Sequence, residues 1–230
     1  MSGQERLRGA AATAGIDFLG EVSLIQSMKT LLLSVSGIAL GSQLVGCAPR
    51  AAVSGSSVAA ITALSPPQRE FWQRLQSLCG RAFQGRLTES NASDSVFARS
   101  PVVMHVRECS PGEVRVPLHV GEDRSRTWVV TPVDGGLRLK HDHRHRDGAE
   151  DSVTQYGGDT REPGTESRQD FHADSLTGAL IPAARTNIWT MEILPGATFA
   201  YGLRREGRRF RVEFDLTRPV AAPPPPWGSR

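Results

Sequence analysis

The sequence predicts a mainly β protein: a single antiparallel barrel, with a two-sheet sandwich as the alternative, preceded by one helix and interrupted by a second short one. Three observations carry this. Short runs alternate apolar with polar residues, Gly, Pro and Asp turn signals separate those runs, and one stretch near residue 70 has helical spacing instead.

The elements follow in chain order. Ser65-Pro66-Pro67 is a helix-start signal, because proline tolerates the first helical positions and serine serves as a cap. Phe71, Leu75 and Leu78 then recur at helical spacing, with Trp72 and Cys79 beside them, and Gly80 ends the run. Beyond it the period drops to two. Strands are predicted over 102–108, 113–120, 127–133, 136–145, 188–194, 198–203 and 209–216, with weaker ones over 83–89, 153–157 and 168–171. Ser110-Pro111-Gly112, Gly121-Glu122-Asp123, Asp134-Gly135-Gly136, Pro195-Gly196 and Glu206-Gly207 mark the turns, most of them short enough for hairpins. Val114, Val116, Leu118 and Val120 share one face of their strand, as do Phe210, Val212, Phe214 and Leu216. Each strand thus has a dry face and a wet one. A second helix is predicted over 174–181 with Asp174 as its cap.

Charge narrows the partners. The 230 residues carry 27 basic and 24 acidic side chains, a net +3, and only two of the basic ones are lysines, Lys29 and Lys140. Arginine supplies the rest in scattered positions. No basic block marks a nucleic-acid footprint.

The stretch from Met28 to Gly46 has a basic start at Lys29, an apolar run from Leu31 to Leu40 and small residues after it. The apolar run is too short to span a membrane. Leu44-Val45-Gly46-Cys47 resembles the lipobox of bacterial lipoproteins. That resemblance implies cleavage before Cys47, acylation of Cys47 and a membrane partner reached through the N-terminal lipid. Ala48 in place of an acidic residue implies sorting to the outer membrane, facing the periplasm. The organisation expected is therefore residues 1–27 untranslated or disordered, 28–46 a signal peptide, 47–64 a flexible tether of Ala, Ser, Gly and Val, 65–218 the globular domain, and 219–230 a Pro-rich unstructured tail. Export to an oxidising compartment leaves Cys79 and Cys109 as a pair for a disulfide, with two buried thiols as the alternative. A closed loop of about 30 residues stabilises by roughly 3–4 kcal/mol in the chain-entropy picture.

One constellation invites chemistry. On a strand, Leu137, Leu139, His141, His143 and His145 fall in one row, and Arg138, Lys140, Asp142, Arg144 and Arg146 in the other. Histidines two apart can put two imidazoles on one metal ion, zinc first, with copper or iron as alternatives. His105, His119, Glu150, Asp151 and Asp159 are the candidates for a third ligand. A hydrated, hydrogen-bonded strand end is the competing reading, and a charge switch without metal is another. No Gly-x-Ser-x-Gly elbow and no Cys-x-x-Cys pair occurs, so no catalytic residues are assigned. Trp128, Trp189, Phe199 and Tyr201 lie on predicted strands and read as core.

The runs Val103 to Cys109, His119 to Trp128 and Leu139 to His145 resemble a family of uncharacterised proteobacterial secreted proteins, which implies export and no particular activity. The expectation is a lipid-anchored envelope barrel that binds a small ligand or an envelope protein, or serves structurally. The alternative is a metal-binding protein or metal-dependent hydrolase using His141, His143 and His145.

Overall fold

The computed structural model describes residues 55–91 and 94–229. The signal segment, Cys47 and the first half of the expected tether lie outside the described residues. Eleven strands form one antiparallel sheet: β1 (Ala82–Glu89), β2 (Val102–His105), β3 (Glu108–Ser110), β4 (Glu113–Val120), β5 (Asp123–Val133), β6 (Gly136–His143), β7 (Tyr156–Thr160), β8 (Arg168–Ala173), β9 (Ile188–Leu194), β10 (Thr198–Arg205) and β11 (Arg208–Val220). The sheet closes on itself through the pairings β1–β11 and β2–β4. The result is a ten-stranded up-and-down barrel, not a sandwich, in which each strand lies beside its neighbours in sequence.

Strand β3 lies outside the closed ring but continues the line of β2 along β4. Val102 pairs with Val120 and Met104 with Leu118; Glu108 then pairs with Arg115 and Ser110 with Glu113. The register slips by one residue between the two sets. At the slip Val106 leaves β4 and bonds to Arg81 and Gly80, while the Arg107 N–H donates to Arg115. The single strand expected over 102–108 is therefore broken by a bulge that lets its two halves serve different neighbours.

The period-two faces sort as expected. Val114, Val116, Leu118, Val120, Phe210, Val212, Phe214 and Leu216 are buried inside the barrel, and Arg209 and Glu213 look outwards. At the seam between β1 and β11, Gly85 makes room for an aromatic ring: a Cβ there would sit 2.5 Å from Phe214.

Helix α2 (Pro66–Ser77) stops one end of the barrel. Its Phe71, Trp72 and Leu75 are buried in one cluster with Leu137, Phe171 and Ile193. Gln68 fixes its start: its Oε1 accepts from the Ser65 N–H at 3.2 Å and hydroxyl at 2.8 Å, and its Nε2 donates to Thr160 on β7 at 3.1 Å. The other end is held by the Cys79–Cys109 disulfide and by Gln76 donating to the Ser110 carbonyl at 2.8 Å. The plug is thus tied to the wall at both ends.

Three segments differ from expectation. Helix α1 (Gly55–Ala63) occupies the second half of the expected tether and lies beside β5, with Leu64 buried at its exit. The Pro-rich C-terminal segment is extended but docked on the outer wall. There the Trp227 N–H donates to the Arg124 carbonyl at 3.1 Å, the Arg124 side chain donates to Pro225 at 3.1 Å, and the Arg146 guanidinium lies 5.5 Å from the centre of the Trp227 ring. Strand β7 starts three residues later than predicted, so Gly157 and Gly158 lie inside it. A Cβ on Gly157 would come within 2.0 Å of the Leu139 carbonyl, and one on Gly158 within 1.7 Å of that of His172. These two glycines permit the close strand approach.

The remaining helices lie at the open end. Helix α3 (Ser95–Arg99) sits between β1 and β2, and α4 (Ser175–Leu180), followed by a 3-10 turn at Pro182–Ala184, sits between β8 and β9. Asp174 caps α4 as predicted, accepting from the Thr177 N–H at 2.8 Å.

Candidate functional site

The inward rows that begin as aliphatic core at the plugged end become aromatic and then polar towards the mouth. Along β6 the row runs Leu137, Leu139, His141, His143, and along β10 it runs Phe199, Tyr201, Leu203, Arg205. Trp128 on β5, Tyr156 on β7 and Trp189 on β9 stand at the same level. Together they surround a pocket of about 350 Å³, over which α3 brings Phe97 and its preceding Asp94, and the α4 connection brings Ile181, Ala184 and Asn187. The size suits a small organic ligand. A larger hollow of about 860 Å³ lies outside, along the β1–β11 seam, lined mainly by exposed polar side chains such as Arg86, Asp215 and Arg218. A third, of about 420 Å³, lies between the docked C-terminal segment and the wall and is polar. Of these three, the mouth pocket is the one that gathers aromatic faces around convergent polar groups.

The walls are stacked rings. Trp128 lies on Tyr201 with centroids 4.2 Å apart, and His141 lies on Tyr156 at 4.5 Å with planes 9° from parallel. Phe97 meets Phe210 edge-on at 4.9 Å, which attaches α3 to the rim.

Two histidines sit within this shell, and burial keeps both neutral. His141 is pushed down to about 3 by loss of solvent, with nearby His143 adding to the effect. His143 is pushed down to about 4, again by burial first and by the Arg126 guanidinium second. The His141 Nδ1 faces the Tyr156 carbonyl at 3.1 Å and so must carry the hydrogen. Its Nε2 then accepts from the Tyr201 hydroxyl at 2.7 Å. The Tyr156 hydroxyl lies 3.2 Å from the His143 Nε2. Burial raises both phenols, Tyr156 to about 12 and Tyr201 well above its ordinary value, so both remain protonated donors.

The metal row expected from the sequence does not form. Strand β6 ends at His143; Arg144 makes an isolated bridge to Glu150, and His145 lies beyond it, exposed. Both His141 nitrogens are already bonded. The candidate third ligands are dispersed: Asp159 is held by Arg138 at 2.7 and 2.8 Å, Glu150 by Arg144 at 2.9 Å, and Asp151 accepts from the Val153 N–H at 2.8 Å. His105 and His119 stand on β2 and β4. Among the described residues no group of three His, Cys, Asp or Glu side chains is arranged to hold a metal ion, zinc included.

The rim charges are mostly neutralised in pairs. Arg126 binds Asp123 and lies 5.7 Å from the Phe97 ring centre, and Arg208 grips Asp94 with both terminal nitrogens. Arg205 donates to the Asn187 Oδ1 at 2.8 Å. Sequence reasoning missed Tyr156 and the three arginines, and read Trp128, Trp189 and Tyr201 as plain core. The available signal was their parity: each shares its strand face with core residues yet lies near the same end of the sheet.

No family model, no curated protein and no solved structure matches this chain.

Buried neutral histidines couple stability to pH. Each ring takes up a proton less readily folded than unfolded, where its pKa is about 6.5. Stability is therefore complete above about pH 6.5 and declines as the pH falls from there towards 4 and 3. The thermal midpoint of the wild type should drop more between about pH 7 and 5 than that of His141→Gln, which has no proton to gain at that site. Parallel curves for the two proteins would show that His141 is not held neutral by burial.

Proposed function

We propose that this chain is a lipid-anchored cell-envelope protein whose barrel binds a small, largely apolar ligand in its mouth. The aromatic pocket of about 350 Å³ between the strand ends and the two overlying connections carries the reading. A purely structural barrel would be filled along its whole length. This one is packed from the plugged end up to the buried rings of Trp128, Trp189 and Tyr201, and leaves a pocket bordering them at the mouth. Flat rings give broad contact at low entropic cost, while the Tyr and His groups orient whatever polar atoms the ligand has.

The neutral dye phenylnaphthylamine is the first probe. It should bind saturably to the full chain, with the dye brightening and the tryptophan emission falling together. Leu203→Trp, which adds bulk inside the pocket, should weaken binding by about tenfold or more, equivalent to about 1.4 kcal/mol. Equal titration curves for wild type and Leu203→Trp would mean that the dye sits elsewhere and would remove the carrier reading.

The envelope location rests on Leu44-Val45-Gly46-Cys47 and is supported by the Cys79–Cys109 disulfide, which suits an oxidising compartment. Expressed in a Gram-negative host, the chain should mature to an acylated form beginning at Cys47 in the outer membrane. Cys47→Ala should remain unprocessed and lack the acyl mass. Cleavage and mass unaltered by that change would refute the anchor.

A further inference from the structure

The pocket's charge is not balanced, and the imbalance has one address. Among the rim arginines, Arg126 is matched by Asp123 and Arg208 by Asp94. Arg205 points to the same interior from the end of β10, half-buried, and among the described residues no carboxylate lies within ion-pairing distance of it. Among the described residues its guanidinium has one partner, the neutral Asn187 side-chain oxygen. Asn187 is a buried residue whose oxygen is committed to Arg205, while its amide nitrogen bonds no other group among the described residues and keeps some contact with solvent. A guanidinium and an amide N–H₂, joined through the Asn187 carbonyl oxygen, therefore stand side by side at the edge of an aromatic cavity, each with N–H donors that meet no further acceptor among the described residues.

We propose that the ligand of this pocket is an amphipathic organic anion: a flat apolar body against Trp128, Trp189 and Tyr201, and one carboxylate, sulfonate or phosphate group seated on Arg205 and Asn187. This rests on the pocket being a ligand site and adds the charge of the ligand. A guanidinium with a free edge suits a two-oxygen anion, and a partly buried position strengthens the pairing relative to one in open water. The two paired arginines serve a different end. Arg208 with Asp94 attaches the α3 connection to the rim, and Arg126 with Asp123 fixes the β4–β5 turn, so neither charge is available without opening a lining segment. The neutral His141 and His143 place no competing charge beside the anion.

The test compares two dyes with nearly the same aromatic body on the full chain. Anilinonaphthalene sulfonate carries the anionic group and phenylnaphthylamine lacks it. Leu203→Trp defines the fraction of each signal that comes from the pocket. In Arg205→Ala the pocket affinity for the sulfonate should fall roughly ten- to hundredfold, as expected for losing hydrogen bonds to a charged group. The affinity for the neutral dye should stay within about twofold, which also reports that the pocket is still folded. Arg205→Gln should behave like the alanine variant, and Arg205→Lys should retain part of the sulfonate affinity. An equal fall for both dyes, or no change for either, would overturn the anion site while leaving the carrier reading intact. Failure of both dyes to bind the wild-type pocket would overturn both.

Discussion

Closing ten strands into one barrel encloses an interior that has to be occupied, and the way it is occupied determines everything else about this molecule. At about eight strands the inward side chains already meet across the middle, and the diameter grows with each strand added. Here the extra width is taken up at one end by α2, whose Phe71, Trp72 and Leu75 enter the core from below. The Cys79–Cys109 disulfide and the Gln68–Thr160 hydrogen bond hold that helix against the wall. Among the described residues no comparable plug enters from the other end. The connections carrying α3 and α4 lean over the rim and leave a pocket bordering the buried aromatic side chains. The pocket is the part of the barrel volume that the described residues do not fill.

Polar groups are admitted to this interior only under conditions that keep burial tolerable. His141 has a partner for each ring nitrogen and stays uncharged, and Tyr156 and Tyr201 stay protonated. Charge appears only at the rim, and there almost always in pairs. Outside, the arginine-rich composition has a plain explanation. Arg168 and Arg211 both bind Glu192, at 2.5 and 2.6 Å, Arg211 also reaches Glu213, and Arg204 binds Asp170 at 3.0 Å, which makes a lattice across β8, β9, β10 and β11. Such surface pairs add modestly to stability, but they keep the wet faces of the strands distinct from the dry ones.

Much of the barrel was legible because it is local. Alternation located most of the strands, the Gly and Pro turns marked the hairpins, and Phe71, Leu75 and Leu78 showed the plug helix. What the sequence hid depends on distant partners. The seam joins Gly85 to Phe214, a contact no periodicity records. Gly157 and Gly158 look like a turn until Leu139 and His172 are brought against them. The Ala- and Ser-rich stretch containing α1 has no amphipathic pattern, and the tail's docking depends on Arg124 and Arg146 far upstream. Of the histidine row, His141 and His143 face inwards, while the strand ends at His143 and leaves His145 outside it. The pocket itself was illegible for a related reason. Inward aromatic side chains spell the same pattern whether they meet across a filled core or stop short of one another, and only the barrel width separates the two cases.

The four tryptophans allow the central claim, an unfilled mouth above a plugged core, to be read directly. Trp72 lies in the plug, Trp128 and Trp189 line the mouth, and Trp227 lies on the outer wall. Nitrogen-labelled tryptophan indoles, followed by NMR while phenylnaphthylamine is added to the full chain, distinguish these places in one titration. Saturable shifts of the Trp128 and Trp189 signals, with Trp72 and Trp227 unmoved, are the result this account predicts. Unmoved Trp128 and Trp189 signals, or shifts confined to Trp72 or Trp227, would contradict it.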